Sequence, residues 1–264
     1  MESFTARHEF TAYGPSHVVV LSIFALGAVL LVRVGRRSTD AQARTLSRVL
    51  AVIILLAFVV ALIYKFTQPD IRTSIPLQLC DIAELVAAYA LWSQRHWAFT
   101  LTYYWGLLLS SQALLTPDIG TPTEGAPDFP NHLFVTFFTL HVLVVWSAVY
   151  LTWGRRMRPG WRDFRYAVVV TLGWVAFTLV FNTIASTNYG YLNGKPPTAS
   201  ILDALGPWPF YVLGEIAVVI AIWAAMTWPW QWTVPPTTTP GRTDDARPAP
   251  TNGTKSGMRA RWSQ

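Results

Sequence analysis

The only cysteine of this 264-residue chain, Cys80, stands in the run Pro76-Leu-Gln-Leu-Cys-Asp-Ile-Ala-Glu-Leu85, with Asp81 beside it and Glu84 one helical turn further on. A thiol among apolar groups is inert, because burial disfavours the thiolate, whereas an imidazole within reach can take the proton and create a nucleophile. His141 supplies an imidazole, and a Cys80/His141 pair would suit acyl transfer, with the histidine acting first as general base and then as general acid. The plain structural alternative is that Cys80 is a small buried hydrophobe, as free cysteines commonly are. Asp81 and Glu84 are three residues apart and Cys80 and Glu84 four, so on a helix all three share a face. The carboxylates could orient His141, bind a cation or relay protons, or they could simply be hydrogen-bonded inside a bundle.

These residues need an element to hold them, and composition says which kind. Hydrophobic residues make up 52% of the chain and charged residues 13%, half the share of an average soluble domain, and the mean hydropathy is +0.34. A helix crosses a membrane with roughly 20 mostly apolar residues. Seven segments meet or approach this: 17–34, 47–64, 75–92, 97–115, 133–152, 167–185 and 209–228. The fold class expected is all-α: a polytopic integral membrane protein, seven transmembrane helices in a bundle. The organisation expected is an outside N-terminal segment over 1–16, the transmembrane domain over 17–232, and a Pro/Thr-rich disordered cytoplasmic tail over 233–264.

At about 1.5 Å of rise per residue, Cys80 lies ~8 Å, Glu84 ~14 Å, His141 ~12 Å and Glu215 ~8 Å from one and the same end of their spans. Gln112 and Asn182 lie ~5 Å from that end, and Gln78 and His17 are shallower. Independent polar substitutions would scatter over both halves. Clustering in one half predicts a shared polar cavity opening on that side, with Gln78, Asp81, Glu84, Gln112, Asn182, Glu215 and His17 around the Cys80/His141 pair. Gln112 or Asn182 could donate to an oxyanion.

The net charge of +6 is a topology signal and not a nucleic-acid one. With seven spans, sixteen of the 20 basic residues fall on one side, among them Arg33, Arg36, Arg37, Arg44, Arg48, Arg95 and the group from Arg155 to Arg165. Only Arg7, Lys65, Arg72 and Lys195 fall on the other. The positive-inside rule then puts the N-terminus outside and the C-terminus in the cytoplasm of a cell-membrane protein, with the cavity facing outward and membrane lipids as partners. The spacing of the histidines offers no metal motif, and no cofactor is expected. The last span carries no lysine for a retinal Schiff base, since Lys65, Lys195 and Lys255 are expected outside the spans. The outside segment 186–208 is long enough to be a lid or a plain connector; Ser200 and Asp203 have capping-box spacing for a short helix over 201–205 closed by Gly206.

Five segments together resemble the YwaF-like seven-span bacterial membrane proteins: Pro-Leu-Gln-Leu-Cys-Asp (76–81), Tyr-Tyr-Trp-Gly-Leu (103–107), Gln-Ala-Leu-Leu-Thr-Pro-Asp-Ile (112–119), Phe-Phe-Thr-Leu-His (137–141) and Leu-Gly-Pro-Trp-Pro (205–209). That group is distantly similar to animal transmembrane acyltransferases of ether phospholipids. The resemblance covers about residues 10–230 and implies a lipid acyltransferase or hydrolase of the thiol type, with Cys80 as nucleophile, His141 as base and an acyl lipid as substrate. The alternative expectation is a proton- or cation-coupled transporter, or a small-molecule-binding protein, centred on Asp81, Glu84 and Glu215.

Overall fold

The structure, a computed structural model, describes residues 9–119, 126–196 and 201–233. The expected tail from 234 on, the first eight residues and Ser200 lie outside them. Eight α-helices follow in order: α1 (Pro15–Arg37), α2 (Asp40–Lys65), α3 (Leu79–Ser93), α4 (His96–Tyr104), α5 (Ser111–Leu115), α6 (His132–Val149), α7 (Trp161–Ala185) and α8 (Phe210–Thr227). A π-helical turn, Trp105–Ser110, joins α4 to α5, and a second, Tyr150–Gly154, extends α6. A short 3-10 helix forms over Ile201–Leu205, followed by Gly206 at φ 88°, as the sequence predicts.

Local signals explain the helix limits. Pro15 opens α1, where its missing N–H costs nothing. Thr39 and Gln42 form a reciprocal capping box at the start of α2. Asn131 caps α6. Asp163 accepts from the Gly160 N–H at the start of α7. Gln94 and Ser186 end α3 and α7 in left-handed conformation, a position their short or amide side chains tolerate.

Among the described residues five helices are long and apolar enough to cross a membrane: α1, α2, α6 with its π turn, α7, and α8 with the turn after it. The two expected spans that fall short are α3, only 15 residues, and the 96–115 run, diluted by Thr, Tyr, Ser and Gln. The 96–115 run is buried over most of its length, where lipid apolarity is not demanded of it, while α3 is packed on most of its surface and leaves one apolar stripe, Leu85, Tyr89 and Trp92, exposed. Ala98 to Gly106 are all buried, and α3 packs through Ala83, Ala87, Ala88 and Ala90, small residues that let helix backbones approach. α6 is the hub. It packs on α1, α2, α3 and α4, and 61% of its apolar window is buried against 6% for α1, which is therefore peripheral. Gly27 of α1 makes that contact possible: a Cβ there would stand 2.0 Å from the Trp146 ring, and the Trp146 indole donates to the Phe24 carbonyl.

α3 runs alongside α2 with both of its ends fastened. Asp81 meets Lys65 at one end, and Gln94 donates to Ser47 at the other. The 96–115 run is fastened likewise. Thr100 and His96 meet Asp163 at the start of α7, and the Leu114 carbonyl meets His17 in the first turn of α1.

Candidate functional site

The chain enters α3 through residues 66–78, which have no regular structure yet are closely bonded. The Ser74 hydroxyl donates to the Lys65 carbonyl and accepts from the Asp70 N–H, and Ser74 is buried. Tyr189 reaches this segment from the loop after α7. Its hydroxyl donates to the Ile71 carbonyl at 2.7 Å and accepts from the Ile75 N–H at 3.1 Å. Gln78 accepts from the Gly190 N–H, and the Trp174 indole donates to the Leu77 carbonyl. Cys80 and Asp81 thus stand in the first turn of a helix whose entry is held by α7 and the loop that follows it.

Around that turn the charges gather. Lys65 Nζ lies 2.8 Å from Asp81 Oδ1. Lys65 is the last residue of α2, at the helix end that the antiparallel α2–α3 contact brings to the first turn of α3, and two thirds of its side chain is covered. Asp81 and Glu84 are both buried, and Asp81 Oδ2 has no partner among the described residues. Cys80 is partly buried, and Lys65, Asp81 and Glu84 all lie close enough for their charges to act on its sulfur. The Asp81 backbone N–H faces that sulfur too.

His141 reaches the same region from α6. It is buried, its Nδ1 lies 2.8 Å from the Phe137 carbonyl, and Nε2 has no hydrogen-bond partner among the described residues. The Asp81 carboxylate is within range of its ring as it is of Cys80, and there it favours an imidazolium where at Cys80 it disfavours a thiolate. No hydrogen bond joins Cys80 to His141.

The remaining residues of the expected cavity divide between other places. Asn182 is wholly occupied in shaping the loop after α7: its Nδ2 donates to the Tyr189 carbonyl, and its Oδ1 accepts from the Thr187 hydroxyl and the Tyr189 N–H. Gln78 holds Gly190 of the same loop. His17 packs between Phe10, Tyr13 and Phe138. The Tyr13 N–H donates to its Nδ1, so Nε2 carries the ring proton and donates to the Leu114 carbonyl at 2.8 Å. Gln112 is exposed. Glu215 is half-buried on α8 beside Tyr211. Lys65 and Tyr189 are the residues at this site that sequence reasoning passed over. A lysine closing one span and an aspartate opening the next is a readable sign of a helix-end pair, whereas nothing near Tyr189 announces its reach.

The described part of the 186–208 loop is fastened rather than free. Beyond the Asn182 bonds, the Tyr191 hydroxyl donates to Asp118 at 2.9 Å, the Tyr211 hydroxyl donates to the Tyr191 carbonyl, and the Asn188 amide donates to Gly194. Burial first, and the Asp118 carboxylate second, push the Tyr191 phenol above its ordinary range. Burial does the same to Tyr189.

No curated protein and no solved structure matches the chain. One family profile does, over residues 12–227, from just before α1 to the last residue of α8. It encloses every α-helix and the whole Lys65–Asp81–Cys80–Glu84–His141 cluster, and with its five membrane-length helices the chain belongs, as a multi-pass membrane protein, to the TMEM164 family.

Proposed function

We propose that the chain crosses the membrane seven times and that Cys80 is the nucleophile of a lipid acyl-transfer or hydrolysis reaction in the outer half of the cell membrane. The seven-span reading rests on where α3 and the 96–115 run are fastened. Ser47 and Lys65 are 18 residues apart on α2, roughly 27 Å of helix and close to a hydrocarbon thickness of about 30 Å. α3 meets both. The 96–115 run likewise connects the start of α7 to the start of α1, which lie at opposite ends of the bundle.

The observation that carries the chemical reading is that the Lys65–Asp81 ion pair lies within range of both groups: its carboxylate suits an imidazolium on His141, and its ammonium suits a thiolate on Cys80 against the opposing Asp81 and Glu84 charges. Cys80 gives its proton to the unengaged nitrogen of His141, and the sulfur attacks the ester carbonyl of an acyl lipid. The N–H groups of the first turn of α3, which have no intrahelical acceptor, meet the oxyanion. His141 returns the proton to the departing lipid alkoxide, leaving a thioester on Cys80. A hydroxyl of an acceptor lipid, or water, then attacks the thioester. His141 takes its proton and passes it to the sulfur as the C–S bond breaks. Substrate has to draw sulfur and imidazole together, as active-site hydrogen bonds often tighten only in the complex.

Incubation of the protein in bilayers with an acyl-labelled phospholipid should leave a hydroxylamine-sensitive label on Cys80. Cys80→Ala should abolish turnover, and His141→Ala should slow it on the order of 100-fold or more. Unchanged turnover in Cys80→Ala would sink the nucleophile assignment.

A second reading is favoured by one specific observation: two buried carboxylates, Asp81 and Glu84, face a single ammonium, so one negative charge calls for a proton or a cation. In that reading the cluster couples transport and the thiol is incidental. Ion or proton flux that survives Cys80→Ala and disappears in Glu84→Gln would favour it.

A further inference from the structure

At the basic end of the bundle, far from Cys80, a cleft of about 340 Å³ opens between the start of α2 and the end of α3. Its walls are Arg44 and Arg48 on one side and Leu91, Trp92, Ser93 and Gln94 on the other. The two arginines are four residues apart and share a face of α2. Arg48 sits over the Trp92 ring, 5.4 Å from its centre, a cation–π contact that leaves guanidinium edges free to donate. Among the described residues no carboxylate pairs with either arginine. Leu91, fully buried, closes the floor, and the Gln94 amide bonded to Ser47 fixes the two helices at this separation. Gln94 can hold that position because it is left-handed, at φ 52°.

We propose that this cleft binds the phosphate group of an anionic phospholipid of the inner leaflet. Paired guanidinium groups suit a phosphate better than any other common anion at a membrane surface, since they meet its oxygens with parallel N–H donors. Basic pockets between transmembrane helices at the cytoplasmic face are where such headgroups bind. The half-exposed Trp92 stands at the level where an indole spans headgroup and chain. The site is independent of the acyl chemistry proposed for Cys80, and either can fail without the other.

The test uses the full chain in nanodiscs of zwitterionic lipid doped with phosphatidylglycerol, reading retained anionic lipid by native mass spectrometry and thermal stability in parallel. Wild type should retain the anionic lipid and melt higher as its fraction rises. Arg44→Gln with Arg48→Gln should bind it on the order of 30-fold more weakly, from about 1 kcal/mol for each basic residue at the surface. Arg162→Gln with Arg165→Gln, exposed at the same face but outside the cleft, should change little. Equal losses in both double variants would mean a diffuse surface charge and overturn the proposal, as would undiminished retention in the cleft variant. Inorganic phosphate in detergent separates the sources. If it stabilises wild type alone and the lipid adds nothing, the lipid assignment is overturned and the cleft takes phosphate from solution.

Discussion

At the scale of single residues, the Lys65–Asp81 pair decides whether the candidate site exists at all. Asp81 is 6% exposed, and its second oxygen has no partner among the described residues, so Lys65 is its principal counter-charge. Removing one member of a fully buried pair costs about 3–5 kcal/mol; a third of the Lys65 side chain is exposed, so we expect about 1–3 kcal/mol from Lys65→Met. Thermal unfolding in detergent should show that loss. Adding Asp81→Asn should recover a good part of it, since the orphaned charge goes with it. An equal loss in Lys65→Met and in the double variant would mean that packing, and not charge, is at stake. The cluster was half legible in the sequence. Cys80, Asp81, Glu84 and His141 stand out because ionisable groups are scarce in apolar runs. Lys65 did not, because its place depends on which turn of α2 faces α3.

At the scale of elements, the entry to α3 is shaped by a loop whose own geometry depends on one glycine. Gly190 has φ 67°, and a Cβ there would stand 2.4 Å from the Trp174 ring, which is itself bonded to Leu77. Gly190→Ala combines left-handed strain with a clash and should cost about 2–4 kcal/mol. Gly206→Ala, at φ 88° with nothing within 4 Å, carries the strain alone and should cost about 1–2 kcal/mol. Unfolding midpoints of the two variants measured side by side would check that order. Polarity at a shallow depth suggests an open cavity for Asn182 and Gln78; in the structure both bond the backbone of this loop, a role that no side-chain pattern reports. The same loop gives the protein an alkaline limit. The folded Tyr191 phenol is held above its ordinary value by burial and by Asp118, so as pH rises past about 10 the unfolded chain loses its proton first. Stability is therefore complete below that range, declines above it, and this contribution is gone once the raised folded value is passed. Melting temperature followed from pH 8 to 11 should fall at the top, and less steeply in Tyr191→Phe, which has already given up the Asp118 bond.

At the scale of the whole molecule, the sequence pattern shows five membrane-length helices outright, because helices at the edge of a bundle must be apolar where they meet lipid. α3 and the 96–115 run are harder to read for the opposite reason: packed by neighbours over most of their surface, they carry alanine, threonine, tyrosine and a π turn there, and α3 keeps only the stripe Leu85, Tyr89 and Trp92 exposed. Whether they cross is a question about Arg95, the exposed residue between them. If both cross, Arg95 shares the cytoplasmic face with Asp40 and Gly160. If they form a hairpin that turns back inside the bilayer, Asp40 and Gly160 stay cytoplasmic and Asp128 stays outside, so reporters at those three places return the same pattern either way. Single-cysteine labelling separates the cases cleanly here, because Cys80 is the only native thiol. In a Cys80→Ser background, Arg95→Cys should resist a membrane-impermeant maleimide applied to intact cells and react once the membrane is permeabilised, as Asp40→Cys should. Asp128→Cys should react from outside. Labelling of Arg95→Cys from outside would remove two spans. A site that reacts from neither side would point to a turn held within the bilayer. The charge pattern favours the crossing, since an arginine at that turn belongs with the basic loops and costs several kcal/mol in the hydrocarbon.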